Sequence, residues 1–141
     1  MHKKGIVHRN IRSGNILFTE RGKTNIKIID FDVCGTKTME AASIYGGGVH
    51  GPFYCAPEVF KNEFSDKVDT WGVGVILYFM LVGSLPFQGY SNEEVISAIK
   101  KGDIKHANPQ LWQQLSEQAR DLVSGLLTVN PKNRLSAHDA L

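Results

Sequence analysis

Residues 6–32 read Ile-Val-His-Arg-Asn-Ile-Arg-Ser-Gly-Asn-Ile-Leu-Phe, then a short polar segment, then Ile-Lys-Ile-Ile-Asp-Phe-Asp. The β-branched and aromatic runs 16–18 and 26–29 flank the polar segment, a pattern that predicts a β-hairpin. Pairing the two strands brings Asn15 close to Asp30 at the open end of the hairpin. Amide and carboxylate oxygens are hard ligands that suit Mg²⁺, so the stretch predicts a magnesium site.

Part of this stretch resembles the catalytic loop and the magnesium loop of protein kinases. Residues 8–15, His-Arg-Asn-Ile-Arg-Ser-Gly-Asn, are similar to the family pattern H-R-D-x-x-x-x-N, and residues 30–32, Asp-Phe-Asp, are similar to D-F-G. In the family, the first Asp orients the substrate hydroxyl, while the Asn and the second Asp hold Mg²⁺ on the ATP phosphates. The resemblance implies that Asn10 occupies the catalytic position and that Asn15 and Asp30 bind magnesium and, through it, ATP.

Several positions depart from the family pattern. Asn10 replaces the Asp base and cannot accept a proton, and Arg12 replaces the usual Lys that contacts the transferred phosphate. Asp32 replaces the Gly of D-F-G, which either narrows the backbone freedom around Phe31 or adds a carboxylate beside the metal. Gly51 stands where the family has a Thr that bonds both the catalytic Asp and the Lys. The resemblance thus implies a hydrogen-bond cluster that has changed as a unit.

Other kinase motifs are nearly unchanged. An Ala-Pro-Glu motif ends at Glu58, and Asp-Thr-Trp-Gly-Val-Gly begins at Asp69 and differs from the family's D-x-W-S-x-G only at the Ser. By resemblance, Glu58 forms a partly buried ion pair with Arg134, whose fork geometry favours Arg over Lys. Asp69 is expected to accept backbone N–H bonds from the catalytic loop, with His8 and Phe31 stacked above it. We expect these residues to have structural roles.

The predicted fold is mainly α, a protein-kinase-like C-terminal lobe whose short β-hairpin carries both loops. Residues 68–82 are apolar on nearly all faces, which predicts a helix buried at the centre of the lobe, αF in the family. A capping box at residues 91–94 opens a helix that matches αG, an exposed family docking surface for protein substrates or partners. Another helix, αH in the family, is predicted from Trp112, the cap Ser116 and the apolar residues Leu122, Val123, Leu126 and Leu127, and ends at residues 130–131. Residues 136–139 predict one more capped helix.

Residues 74–87 and 130–136 resemble the calcium/calmodulin-dependent and calcium-dependent group of serine/threonine kinases. The sequence contains no glycine-rich loop, no V-A-I-K-type lysine and no D-x-D-x-D-G calcium loop. We therefore expect residues 1–141 to be a partial kinase domain, without the N-terminal lobe, αD and most of αE. ATP and Mg²⁺ are expected as cofactors only with an N-lobe, and neither is expected to bind tightly to this chain alone. Calcium or calmodulin control is expected only through regions outside this chain.

Residues 33–50 match the activation segment in position and are rich in Gly, Thr and Ser, which predicts a mobile loop. The candidate phosphorylation sites in this loop are Thr36, Thr38, Ser43 and Tyr45. Arg9 either pairs with such a phosphate through charge-assisted bonds or is satisfied by backbone carbonyls. The sequence leaves both alternatives open.

Charge and composition argue against several classes of function. A net charge of +2 and a pI near 8.6, with scattered basic residues, indicate neither a nucleic-acid partner nor an anionic membrane. The most apolar run, residues 73–82, is about half as long as a membrane span requires. Cys34 and Cys55 form no CxxC motif, which favours a reducing, cytoplasmic setting over a disulfide framework.

Two functions follow from these observations. The first is an enzyme, a calcium/calmodulin-dependent-like serine/threonine kinase by ancestry whose phosphoryl transfer is impaired. Because positioning and metal electrostatics dominate that reaction, loss of the Asp base need not abolish it. The second is a pseudokinase, a scaffold or allosteric binding module without phosphotransfer. The joint changes at Asn10, Arg12, Asp32 and Gly51 favour the second.

Overall fold

A computed structural model describes residues 1–22, 24–32, 34, 51–106 and 108–141. Its longest helix, α1 (Lys67–Val82), carries Trp71, Val75 and Tyr78, whose side chains are fully buried. The helix ends at Gly83, whose φ of 78° is the left-handed conformation that Gly adopts without strain. The central helix that the sequence predicts is confirmed, but its burial on nearly all faces is not, because Val73, Phe79 and Met80 are exposed.

The predicted hairpin consists of β1 (Ile16–Phe18) and β2 (Ile26–Ile28), an antiparallel pair in which Ile16 lies opposite Ile28. Backbone pairing continues past β2, because Ile29 N donates to Asn15 O at 2.9 Å. This extra bond holds the chain that follows β2 beside Asn15, at the open end of the hairpin.

The next helix, α2 (Asn92–Lys101), begins at the predicted cap. Ser91 Oγ accepts a hydrogen bond from Glu94 N at 3.3 Å, and the Glu94 carboxylate accepts one from Tyr90 N at 2.8 Å. Val95 and Ile99, four residues apart on one face, are buried in the core. The cap and the apolar face together fix the start and the orientation of this helix.

The last predicted helices are wrong in their bounds. Two helices occupy the region, α3 (Pro109–Gln114) and α4 (Glu117–Leu126), and Ser116 caps α4 as predicted. We expected the helix to run to residues 130–131, but α4 ends at Leu126. The carbonyls that the next turn would need bind other groups: Ser124 O accepts from Thr128 Oγ1 at 2.9 Å, and Gly125 O accepts from Leu135 N at 3.1 Å.

The predicted cap at residues 136–139 forms, but no helix follows it. Ser136 Oγ donates to Asp139 Oδ2 at 2.6 Å, and Asp139 N donates back to Ser136 Oγ at 3.1 Å. Residues 137–140 are turns. A capping pair is a local interaction, and by itself it does not supply the packing that stabilises a short helix.

The core lies around α1, where the rings of Trp71 and Phe87 stack with their centroids 5.4 Å apart. Over the described residues the fold is mainly α with one two-stranded sheet, which confirms the predicted fold class. Within those same ranges, no helix combines the length and the apolarity needed to cross a membrane.

Candidate catalytic and metal site

The loop that precedes the hairpin is anchored on the buried carboxylate of Asp69. His8 N donates to Asp69 Oδ2 at 2.9 Å, and Arg9 N donates to Asp69 Oδ1 at 2.7 Å. The sequence predicted these backbone contacts. It did not predict that His2 Nε2 would lie 2.7 Å from Asp69 Oδ2, and no spacing or periodicity in the sequence relates these two residues.

A glycine one turn further along α1 lets the loop approach the helix. A Cβ added at Gly72 would lie 2.5 Å from the carbonyl oxygen of Ile11, far inside van der Waals contact. Asp69 and Gly72 lie three residues apart and therefore share one face of α1. The helix thus binds the loop through the carboxylate and makes room for it through the glycine.

The loop and the hairpin together bring Asn10, Asn15 and Asp30 into one cluster. Asp30 Oδ2 accepts hydrogen bonds from Asn10 Nδ2 at 2.7 Å and from Asn15 Nδ2 at 3.0 Å. Asn15 Nδ2 also donates to the Asn10 carbonyl at 2.8 Å. Asp30 has a φ of 67°, in the left-handed region that Asp tolerates better than most residues. The sequence predicted the contact between Asn15 and Asp30 but not the contact of either with the Asn10 side chain.

The donor chemistry of this cluster fits Mg²⁺. The Asn10 carbonyl can only accept, so it fixes the Asn15 amide with its nitrogen toward that carbonyl and leaves the amide oxygen for a cation. Mg²⁺ is commonly bound by one or two carboxylates together with substrate phosphates. Asp30 supplies one carboxylate and Asn15 one amide oxygen. In the described part of the chain, no group of three or more His, Cys, Asp or Glu side chains is placed to hold a metal ion.

His8 lies beneath the cluster in a single tautomer. Its Nδ1 accepts a hydrogen bond from Asn10 N at 3.2 Å, so its Nε2 carries the proton and donates to Ile29 O at 3.0 Å. The Phe31 ring meets the His8 ring edge to face, with centroids 4.6 Å apart. The predicted contact between these two rings is present, although Phe31 remains about half exposed, at 48%.

The protein kinase domain model matches residues 1–141. The chain belongs to the protein kinase domain family. The predicted resemblance to protein kinases is therefore confirmed.

Three curated relatives carry kinase names. Calcium/calmodulin-dependent protein kinase cmkB of Emericella nidulans is 37% identical over 143 residues, which cover 100% of this chain and 35% of that protein. Serine/threonine-protein kinase PEPKR2 of Arabidopsis thaliana is 38% identical over 140 residues, which cover 99% of this chain and 29% of that protein. Calcium-dependent protein kinase 11 of Oryza sativa subsp. japonica is 35% identical over 141 residues, which cover 99% and 24%. The chain spans about a quarter to a third of the length of these relatives.

The Ala-Pro-Glu glutamate of this kinase domain forms a buried ion pair. Arg134 Nη1 and Nη2 donate to the two carboxylate oxygens of Glu58 at 2.6 and 2.8 Å. The guanidinium also donates to the Lys67 carbonyl at 2.8 Å and lies over the Trp71 ring. We expected a partly buried pair, but Glu58 is 4% exposed and Arg134 is 1% exposed. Only a planar, multiply donating side chain can satisfy all of these acceptors at once.

The other altered positions of the kinase motifs do not converge on one hydrogen-bond cluster within the described residues. The Arg12 guanidinium lies beside Gly14, where an added Cβ would be 3.1 Å from Arg12 Nη2. Gly51 has a φ of 61°, and a Cβ there would lie 3.0 Å from the Phe53 ring. The Asp32 side chain is exposed. A Thr at position 51, as the family carries, would therefore be strained on this backbone, because β-branched residues avoid positive φ.

Arg9 is buried, with its guanidinium 5.0 Å from the centre of the Phe64 ring. The two predicted alternatives for this residue stay open, because residues 35–50 lie outside the described residues, and with them the candidate phosphosites Thr36, Thr38, Ser43 and Tyr45. One further contact was missed: Ser13 Oγ lies 3.1 Å from Tyr54 OH, which links the catalytic loop to the segment before Ala-Pro-Glu. The catalytic and regulatory roles assigned to all of these residues stay predictions.

Proposed function

We propose that this chain is the C-terminal lobe of a calcium/calmodulin-dependent-like serine/threonine protein kinase whose phosphoryl transfer is impaired at Asn10. Support for the substrate class comes from the names of the relatives and from the kinase motifs. One observation carries the impairment: the side chain at the base position is an amide whose nitrogen is bound to Asp30. An amide cannot take the proton of a substrate hydroxyl.

Each residue of the site has a defined task in this proposal. Asp69 fixes the loop through two backbone N–H groups, so the position of Asn10 does not depend on substrate. Asn15 and Asp30 hold Mg²⁺, and the ion, when bound with ATP, neutralises charge on the phosphates. Asn10 orients the substrate hydroxyl by hydrogen bonding, and Arg12 contacts the transferred phosphate. General-base catalysis contributes about 10²–10⁴-fold, which sets the scale of the impairment.

The alternative is a pseudokinase, a scaffold or allosteric module without phosphotransfer. The pattern of change favours it, because the residues that support the fold match the family while Asn10, Arg12, Asp32 and Gly51 do not. In either case a protein substrate or partner is expected to contact the exposed face of α2, where Glu93, Ser97 and Lys100 lie. A cytoplasmic setting is part of the proposal and is supported by two unpaired cysteines.

Nucleotide binding tests the proposal and separates the alternatives. Nucleotide binding and phosphate transfer are measured on the chain alone and on the complete polypeptide in which it occurs. We expect the chain alone neither to bind ATP tightly nor to transfer phosphate, because its sequence contains no glycine-rich loop and no V-A-I-K-type lysine to cover the phosphates. We expect the complete polypeptide to bind ATP in a Mg²⁺-dependent way, and Asp30→Asn to abolish that dependence.

Initial rates of peptide phosphorylation complete the test. Ordinary kinases turn over at about 1–100 s⁻¹, and we expect measurable transfer well below that range. No detectable transfer with intact nucleotide binding would select the pseudokinase. Autophosphorylation by the isolated chain, or ordinary rates in the complete polypeptide, would contradict the proposed impairment.

A further inference from the structure

The side chain at the base position contacts the metal-site carboxylate directly. Asn10 Nδ2 lies 2.7 Å from Asp30 Oδ2, which is shorter than the 3.0 Å contact made by Asn15 to the same oxygen. An ionised carboxylate has no proton to donate, so the Asn10 amide must present its nitrogen. The orientation of this amide thus follows from the chemistry of its partner.

The main chain holds Asn10 in this position from both sides. Its N–H donates to His8 Nδ1 at 3.2 Å, and its carbonyl accepts from Asn15 Nδ2 at 2.8 Å. His8 is in turn fully buried and bound through its own N–H to Asp69. The contact between Asn10 and Asp30 is therefore built into the loop rather than made by a freely moving surface side chain.

A carboxylate at position 10 would change the character of this contact. In the same geometry, two negatively charged oxygens would approach to about the length of a hydrogen bond, and such a pair is stable only with a proton or a cation between its members. The amide instead makes a charge-assisted hydrogen bond. Asn10 thus gives the Asp30 carboxylate a partner that requires no metal.

We propose that Asn10 is a positioning residue of the metal site: its amide holds the Asp30 carboxylate in place without a cation and lowers the dependence of the site on a divalent ion. The inference rests on the proposed function, since it takes the cation to be Mg²⁺ bound by Asn15 and Asp30. It adds a role for the base position that is separate from proton transfer.

Thermal unfolding of the chain tests this role with Asn10→Asp and a matched control. Asn25→Asp makes the same change of amide to carboxylate at an exposed position near the turn of the hairpin, where Asn25 O accepts from Thr19 N at 3.0 Å. In EDTA at neutral pH, we expect Asn10→Asp to lower Tm by at least about 3 °C, and Asn25→Asp to leave Tm near that of the unsubstituted chain. Added MgCl₂ should restore most of the loss in Asn10→Asp and shift the control much less.

Direct binding of Mn²⁺, followed by its free-ion EPR signal, is the second measurement and needs no unfolding transition. A second carboxylate should tighten Mn²⁺ binding at least about tenfold in Asn10→Asp. The inference is overturned if Asn10→Asp has unchanged Tm in EDTA, if MgCl₂ does not restore the loss, or if Mn²⁺ affinity is unchanged. Because no nucleotide is used, failure of ATP binding would overturn the proposed function without altering these results.

Discussion

The carboxylates Asp69 and Glu58 are buried and fully engaged, whereas Asp30 is exposed and, among the described residues, accepts hydrogen bonds from two neutral amides. Asp69 accepts two backbone N–H bonds, and Glu58 accepts both arms of the Arg134 guanidinium. The supporting carboxylates thus keep the strong partners that the kinase fold requires. At the exposed edge, the base position carries an amide. The difference supports the proposed function, in which the residues that support the fold are retained while the catalytic edge is changed.

Removal of the buried cation should give the largest effect. Arg134→Ala leaves Glu58 buried without its partner, an event that typically costs about 3–5 kcal/mol of unfolding free energy. Asp30→Ala removes an exposed carboxylate and should cost no more than about 1 kcal/mol. Urea denaturation followed by circular dichroism measures both.

Arg134→Lys is the control for charge alone. It keeps the cation but loses the fork that reaches two carboxylate oxygens and three carbonyls, so its stability should fall between that of Arg134→Ala and the unsubstituted chain. Equal losses of unfolding free energy in Arg134→Ala and Asp30→Ala would mean that the buried ion pair stabilises the fold no more than the exposed carboxylate does.

The contact between the catalytic loop and α1 should come next. Gly72→Ala places a methyl group 2.5 Å from the Ile11 carbonyl oxygen, and overpacking of this kind costs about 1–3 kcal/mol. Ser97→Ala, at an exposed position of α2, should stay within about 0.5 kcal/mol. Equal stability of the two variants would mean that the loop does not need its close approach to the helix.

A substitution that strains the backbone at Gly51 should give a smaller loss of stability. Gly51→Thr forces a β-branched residue to a φ of 61° and should cost about 1 kcal/mol or more. Gly51→Asn should cost less, since Asn tolerates that conformation. Restoring the family's Thr at this position therefore should not repair the site. A stable Gly51→Thr variant would show that the segment readily adopts another backbone conformation.

The pH dependence of stability that arises from His106 should be the smallest of these effects. Burial lowers the pKa of His106, whose ring stacks on Trp112 with centroids 4.6 Å apart. Because the unfolded state then binds more protons, this contribution to stability is present above the ordinary His pKa of about 6.5 and is lost as the pH falls below it. His106→Phe should flatten the dependence of Tm on pH in that window. An unchanged dependence of Tm on pH in His106→Phe would mean that other groups cause that dependence.

Local patterns predicted much of this structure. Two β-branched and aromatic runs around a polar segment predicted the hairpin, a Ser with a Glu three residues later predicted the start of α2, and a run apolar on nearly all faces predicted α1. Each of these features depends on neighbours within a few residues. The pairing of Glu58 with Arg134 was also predicted, but only through the resemblance to the kinase family, because no local pattern joins residues so far apart.

The features that were missed depend on tertiary contacts. At the end of α4, the Gly125 carbonyl accepts a hydrogen bond from Leu135 N, and a local pattern of apolar residues does not contain this information. Strand pairing brought Asn15 to Asp30, but the Asn10 side chain reaches Asp30 only because the 3₁₀ turn Ser13–Asn15 folds the loop back. The contact of His2 with Asp69 likewise has no local signal.

We infer that the residues that support the fold are intact while phosphoryl transfer at Asn10 is impaired. The effect of Asn10→Asp on the rate of phosphorylation tests this inference. In the complete polypeptide with Mg-ATP and a basic peptide, we predict that Asn10→Asp raises the initial rate of phosphorylation. The gain should be partial, below the full range of about 10²–10⁴-fold, because Arg12 and Gly51 remain. Ordinary kinase rates in the unsubstituted protein, or no gain in an Asn10→Asp variant that folds and binds Mg-ATP, would contradict the account.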